Sequence, residues 1–287
     1  MTKYLVTGAT GQLGQLVLNA LSEKKILNSD IAVLVRRADA AAELKSKGYD
    51  VRMGDYSDAD KLAAAFAGIE RLLLISGSEV GERLPQHFNV IAGAKEAGVK
   101  YIVYTSLLKA TSSKIGLAPE HVGTEEAITG SGLDYTFLRN GWYAENYLMA
   151  LPQILELGQH FGAAGDAKFA PATRADLAEA AAVVLTGEGH EGKTYELAGD
   201  YSFTYADYAD TIAELSGKQI AYVDMPEAAF KDALTGAGLP EPLAALLSNA
   251  DAVAAEGWLF DDSKTLSRLI GHPTTPIKEV LQAAMAN

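Results

Sequence analysis

The sequence predicts a doubly wound parallel α/β domain followed by a smaller, mainly helical part. Three observations predict it. Short apolar runs recur through the first half without period-two alternation, the pattern of strands covered on both faces. Amphipathic stretches at helical spacing separate those runs at the pace of βαβ units. A glycine-rich turn follows the first run directly and opens the first helix.

Each element follows in turn. Lys3–Thr7 is apolar and β-rich, Gly8–Gly14 is a glycine loop, and Gln12–Leu21 carries Leu13, Leu16, Val17 and Leu21 at helical spacing. Ile31–Val35 is the second strand, followed by a helix over Ala40–Lys47 that stops at Gly48. Val51–Met53 is the third strand, and Asp58–Phe66 a helix opened by Ser57 or Asp58. Arg71–Ile75, with three consecutive leucines, is the fourth strand, and Arg83–Ala97 a helix ending at Gly98. Tyr101–Thr105 is the fifth strand, Pro119–Thr129 a helix beginning with proline, and Tyr135–Leu138 the sixth strand.

After Arg139 the rhythm changes. Ala144–Leu157 and Arg174–Leu185 read as helices, with a Gly-rich loop around Gly162–Gly165 between them. Lys193–Leu197 reads as a strand returning to the sheet, near 193–198. Thr204 caps a helix over Tyr205–Leu215, and Ile220–Val223 is a short strand. From Met225 the chain is mostly helical, punctuated by Pro240, Pro242, Pro273 and Pro276. The expected division is a first domain over 1–150, with the returning strand, and a smaller one over 151–287.

Composition narrows the function classes. The 287 residues carry a formal charge of −13 and are 48% hydrophobic and 21% charged, ordinary globular values that argue against disorder. Such an acidic chain disfavours a generic nucleic-acid or anionic-membrane surface. Cysteine is absent, so disulfides, Cys-ligated zinc, iron–sulfur clusters and a thiol nucleophile are excluded. Its absence fits a reducing cytoplasm. The N-terminal segment lacks a signal-peptide core, and no apolar run approaches the roughly 20 residues that cross a bilayer. His87, His121, His160, His190 and His272 show no ligand spacing, so no metal is expected.

The strongest motif is Thr7-Gly8-Ala9-Thr10-Gly11-Gln12-Leu13-Gly14, a G-x-x-G-x-x-G turn between strand and helix. Such a Rossmann turn binds a dinucleotide: Gly8 allows the tight turn, Gly11 lets backbone approach the pyrophosphate, and Gly14 lets the helix lie close. The N–H groups near Gln12 and Leu13 face the phosphates at the positive end of the helix dipole. Isolated, such a turn needs no ligand; here it opens a βαβ series. The second strand ends in Val35-Arg36-Arg37, with no acid for the ribose hydroxyls. Arg36 can fork onto a 2′-phosphate, which favours NADP(H), although a solvated arginine pair is the competing reading. Asp39 reads as the cap of the next helix, and Asp55-Tyr56 as a border of the adenine or a loop.

That loop, with Arg36 and Gly54-Asp55-Tyr56, resembles the atypical short-chain dehydrogenase/reductase families. Two later segments are similar to the NmrA-like subgroup, which holds type 2 NAD(P)H:quinone oxidoreductases and triphenylmethane dye reductases. They are His121-Val122-Gly123-Thr124-Glu125-Glu126 and Tyr135 through Tyr147, with Arg139-Asn140-Gly141-Trp142-Tyr143 at its centre. The resemblance implies a cofactor over Gly8, Ala9, Thr10, Gly11, Gln12 and Leu13, with Arg36 at the 2′-phosphate. It implies that Ser76 and Gly77 border that cofactor, that Thr105 and Ser106 lie near the nicotinamide, and that Asn140, Gly141, Trp142 and Tyr143 line the nicotinamide and substrate cleft. Ligands beyond the carboxyl ends of strands are also what an open parallel sheet dictates.

One departure matters. Most catalytic short-chain dehydrogenases carry Tyr-x-x-x-Lys, yet none of the 13 tyrosines has lysine four residues later. The corresponding region offers His121 and Glu125. Oxidising an alcohol needs a base for its proton, so dehydrogenase and epimerase readings lose theirs. A quinone is already electrophilic, and its hydroquinone anion can be protonated by water. Quinone reduction therefore tolerates the missing pair. His121 could orient substrate or donate a proton near neutral pH, against a helix-start histidine exposed or packed on Pro119. Tyr143 and Tyr147 could stack on a flat substrate with Trp142 as a wall, against simple core packing.

The expectation is an NADPH-dependent reductase of quinones or dye-like electrophiles, without flavin or metal, cytoplasmic, its helical part closing over the cleft. A homodimer is compatible with it. The alternative is a non-catalytic NADP-binding redox sensor of the NmrA-like type.

Overall fold

The structure, a computed structural model, describes residues 3–286. Its chain forms a seven-stranded sheet of order β3-β2-β1-β4-β5-β6-β8. In chain order these are β1 (Tyr4–Val6), β2 (Ile31–Val35), β3 (Asp50–Met53), β4 (Arg71–Leu74), β5 (Tyr101–Leu107), β6 (Asp134–Asn140) and β8 (Lys193–Leu197). β1 pairs in parallel with β2 and β4, β2 with β3, β4 with β5, and β5 with β6. The apolar runs are buried as their lack of alternation requires: every residue of β2 and of β5 is buried.

Helices cover both faces. α3 (Ala59–Phe66), α4 (Arg83–Glu96) and α5 (Ala118–Ser131) share one core with Leu5, Leu72, Leu74, Ile102 and Tyr104 of the strands, through Leu62, Phe66, Val90 and Ile128. α1 (Gln12–Glu23) packs on α7 (Arg174–Thr186), which also meets β4, β5 and β6. α2 (Ala38–Ser46) leans on β2 and β3. Because the strands run parallel, β1, β2, β4, β5 and β6 all end at one edge, where the residues of the candidate site follow them.

The chain divides into two compact units. The first runs to Ala110 and adds Pro119–Asn140 and Arg174–Tyr195; the second takes Thr111–Ala118, Gly141–Thr173 and the chain from Glu196. They interleave, so no single cut near residue 150 separates them: α7 rejoins the first unit because its apolar face completes the α1 side of the sheet. The second unit holds α6 (Leu151–Leu157), β7 (Gln159–Gly162), α8 (Tyr205–Ser216), β9 (Ala221–Asp224), α9 (Glu227–Gly236), α10 (Glu241–Ala254), α11 (Thr265–Ile270) and α12 (Ile277–Met285).

Three local expectations need correction. Ala144–Leu157 is not one helix: a 3₁₀ stretch over Ala144–Ala150 precedes α6, with Pro152 in the first turn of α6, where its missing N–H is tolerated. The Gly162–Gly165 loop is preceded by an unexpected strand, β7, which pairs in parallel with β9 through His160↔Tyr222. Its four residues are too few to show a period. Asp39 lies in the first turn of α2 rather than at the cap, which is Arg37. The Thr204 cap of α8 is a full capping box with Asp207.

Candidate functional site

The glycine loop is shaped by sterics. Gly8 has φ +59°, a left-handed conformation costly for other residues. A Cβ on Gly14 would stand 2.1 Å from Gly8 O and 2.8 Å from Ala9 Cα, so only glycine lets α1 start this close to the turn. Gly11 caps α1 without a side-chain bond, and no acid lies in the first turn. The positive end of the helix is thereby left to an anion. Behind the loop, Thr7 Oγ1 donates to Leu73 O and accepts from Ile75 N at 2.9 Å, tying the end of β1 to that of β4.

Arg36 follows β2 with its side chain 64% exposed, NH1 lying 3.2 Å from Glu79 Oε1 and 3.6 Å from Asp55 Oδ2. Asp55 accepts from Ser57 N and Oγ, and those bonds hold its carboxyl below the usual range. Tyr56, half-buried beside it, donates to Ile75 O.

Ser76 and Gly77, past the end of β4, are fastened from beneath. Ser76 N donates to Thr105 Oγ1 at 2.8 Å. Gly77 N donates to His87 Nε2 at 3.0 Å, and Gly77 O accepts from Arg83 Nε at 2.7 Å. Thr124 Oγ1 donates to Glu120 O and so receives His87 Nδ1–H, which assigns the neutral tautomer. Arg83 is itself paired with Glu120 at 2.5 Å. Burial pushes His87 down to about 3, so this histidine is a neutral fastener at any physiological pH.

The acid–base position holds a buried histidine rather than an exposed one. His121, in the first turn of α5, is buried at 6% exposure, and its Nδ1 lies 2.8 Å from Tyr104 OH. Burial, then the Arg83 charge, lowers it to about 3, so it carries no proton to donate as an imidazolium near neutral pH. Glu125 turns elsewhere: it accepts from Ser106 Oγ at 2.6 Å and takes the Arg139 fork at 2.9 and 2.7 Å. The residues of the His121-x-x-x-Glu125 spacing therefore serve two separate networks.

Asn140 ends β6 with its backbone oxygen accepting from Leu108 N, while its buried Oδ1 has no partner. Gly141, Trp142, Tyr143 and Tyr147 belong to the second unit. There Gly141 N donates to Leu197 O, and the backbone about Tyr143 pairs with Ala172. Trp142 and Tyr143 are half-buried. Tyr147 is enclosed by the rings of Phe169, Phe203, Tyr205 and Tyr208, so it offers no open face for stacking. Sequence reasoning missed His87, Arg83, Glu120 and the Glu125–Arg139 pair. Their one sequence signal was a polar side chain among the apolar residues of a helix or strand.

The first unit fits a dinucleotide: a glycine cradle that a Cβ would fill, an uncapped helix start, a reachable guanidinium beyond β2, and an orphaned acceptor on Asn140. Among the described residues no three His, Asp or Glu side chains gather as a metal-binding set, and no helix is long and apolar enough to cross a membrane.

This is the architecture of a nicotinamide-dinucleotide protein, and the chain belongs to the NAD(P)H-binding family, which matches residues 8–188. Among its relatives is quinone oxidoreductase 2 of Escherichia coli, 54% identical over 96% of each chain. The crystal structure of the Escherichia coli NADPH-dependent quinone oxidoreductase complexed with NADPH superposes with a TM-score of 0.96 at 52% identity, covering 99% of this chain and 100% of that one. The Citrobacter sp. triphenylmethane reductase complexed with NADP(H) follows at 0.94 and 40%, covering 98% and 100%.

Proposed function

We propose that this chain is an NADPH-dependent reductase of quinones or similarly flat electrophiles, working without flavin or metal. The observation that carries the reading is what occupies the acid–base position. His121 is neutral and bonded to Tyr104, and Glu125 is locked to Arg139 and Ser106. Neither is placed to take a proton from an alcohol, whereas an electrophilic ring needs none removed. The full-length likeness to quinone and dye reductases supports the same substrate class.

When bound, the nicotinamide supplies hydride; the chain supplies binding, proximity and orientation. Gly8–Leu13 hold the pyrophosphate with backbone N–H groups, and Arg36 binds the 2′-phosphate. Ser76, Gly77, Thr105, Ser106, Asn140 and Gly141 border the rest of the cofactor. Ser106 Oγ has committed its proton to Glu125, so toward any ligand it acts as an acceptor. Trp142 and Tyr143 flank the substrate. The domain roles follow, with the first unit binding the nucleotide and the second selecting the substrate.

The test is NADPH oxidation with a small benzoquinone, read as loss of the nicotinamide absorbance band. Turnover well above the uncatalysed rate is expected. NADPH binding with no turnover across quinones and triphenylmethane dyes would replace this reading with the redox-sensor one. Arg36→Ala should raise the NADPH KM by roughly tenfold or more and leave the NADH KM nearly unchanged.

A further inference from the structure

The proposed reaction gives Arg36 a phosphate to bind, yet the structure sets that guanidinium between two carboxylates. The two acids are held differently. Asp55 is fixed by two bonds from Ser57, at 2.9 and 2.7 Å, and stands 3.6 Å from Arg36 NH1. Glu79 comes from the segment between β4 and α4, lies closer at 3.2 Å, and is steadied by a single amide, Gln86 Nε2, at 2.8 Å from its other oxygen. Glu79 is 49% exposed and Arg36 64%, so a ligand can reach both.

We propose that Glu79 is an internal competitor for the 2′-phosphate at Arg36, and that it sets how strongly the protein prefers NADPH over NADH. The inference rests on the reading of Arg36 given above. A phosphate within hydrogen-bond reach of NH1 comes within a few ångströms of the Glu79 carboxylate. The two anions then repel, and Glu79 must swing out for the phosphate to settle. Asp55, whose other oxygen is held by Ser57, remains and keeps the guanidinium aligned. A ribose 2′-hydroxyl has no charge and needs no such displacement. Glu79 thus weakens the phosphorylated cofactor alone, and it does so through charge rather than shape.

The experiment isolates the nucleotide half from catalysis. Calorimetric affinities for 2′,5′-ADP and 5′-AMP are measured on the full chain, on Glu79→Gln, on Arg36→Ala and on the double variant. Glu79→Gln keeps the size and the Gln86 contact while removing the charge. It should tighten 2′,5′-ADP about threefold to tenfold at low ionic strength, with the gain shrinking as salt rises, and leave 5′-AMP unchanged. In the Arg36→Ala background the competition for the guanidinium is gone and only direct repulsion remains, so the gain should shrink. Unchanged or weaker 2′,5′-ADP binding in Glu79→Gln overturns the proposal, as does equal tightening of 5′-AMP. If Arg36→Ala weakens both ligands alike, the assignment of Arg36 has failed first. If Arg36→Ala is selective and Glu79→Gln is silent, only the role of Glu79 is lost.

Discussion

Each unit buries a polar cluster that includes histidine, and the two satisfy their groups to different degrees. In the first unit both nitrogens of His87 are bonded, His121 holds Tyr104, and Glu125 accepts three bonds from Ser106 and Arg139. In the second, Tyr147 OH and His160 Nε2 are buried with no partner, and Asp251 accepts from Tyr205 OH at 2.6 Å and Ala163 N at 3.1 Å. The first cluster fixes backbone at the carboxyl edge of the sheet, and its His87 and Glu125 are bonded at both ring nitrogens and at both carboxylate oxygens. The second is a packing of rings, among them Phe169 stacked on Tyr205 with centroids 4.4 Å apart, and its polar tips take what the ring geometry leaves. Polar satisfaction here follows from what each cluster does. Positioning a loop needs it, and filling a core tolerates its lapse.

The largest test of that contrast removes one partner from the first cluster. Glu125→Ala leaves the Arg139 guanidinium, 12% exposed, without its carboxylate and should cost about 3–5 kcal/mol in urea unfolding. Replacing both residues with apolar ones of similar volume should recover most of the loss. A cost below about 1 kcal/mol for Glu125→Ala would show that the pair is not cohesive.

Acid separates the units next, and the signs differ. A histidine kept neutral by the fold binds its proton only after unfolding. Below its ordinary value of 6.5, each such group therefore favours the unfolded chain by about 1.4 kcal/mol per pH unit. His87 and His121, both near 3, act together in the first unit. In the second, His160, near 4, acts the same way, but Asp251 opposes it. Burial raises that carboxyl from 3.8 to about 6, so the fold takes up its proton first and gains stability as pH falls between those values. The two effects nearly cancel from about pH 6 to 4. Amide-exchange protection, corrected for intrinsic rates, should fall for α5 between pH 7 and 5 while α8 holds. Asp251→Asn should make α8 acid-labile as well. Parallel losses in the unaltered protein would sink the contrast.

The same division explains what could be read from the amino-acid sequence alone. The sheet was legible because burial on both faces writes itself as uninterrupted apolar runs, and the cradle because Gly8 and Gly14 answer steric demands that no other residue meets. β7 was not legible: four residues with His160 and Gly162 inside carry no period, and only its partner β9 defines it. Nor was the His87–Gly77 bond, since His87 and Gly77 lie ten residues apart and meet only because α4 folds back under the strand end. For His121, helix position left exposure or packing on Pro119 open, and nothing local pointed to the Tyr104 hydroxyl, 17 residues away, that its Nδ1 meets in the buried interior. Long-range pairings decide which polar residues are used, and single-residue propensity does not contain them.

The smallest expected effect is the most pointed, because it sets two tyrosines of the same cluster against each other. Tyr205 and Tyr147 lie with ring centroids 6.3 Å apart, and burial raises both hydroxyls well above their ordinary range. Tyr205 OH donates to Asp251, whereas Tyr147 OH donates to nothing. Tyr205→Phe strips a donor from a buried carboxyl and should destabilise by about 1–3 kcal/mol. Tyr147→Phe removes only an unsatisfied group whose burial was already unfavourable, so it should be neutral or stabilise by up to about 1 kcal/mol. Thermal or urea unfolding of the two variants checks the difference. Equal losses would mean that the Tyr147 hydroxyl has a partner in solution, a bound water being the simplest, and that the second cluster is as well satisfied as the first.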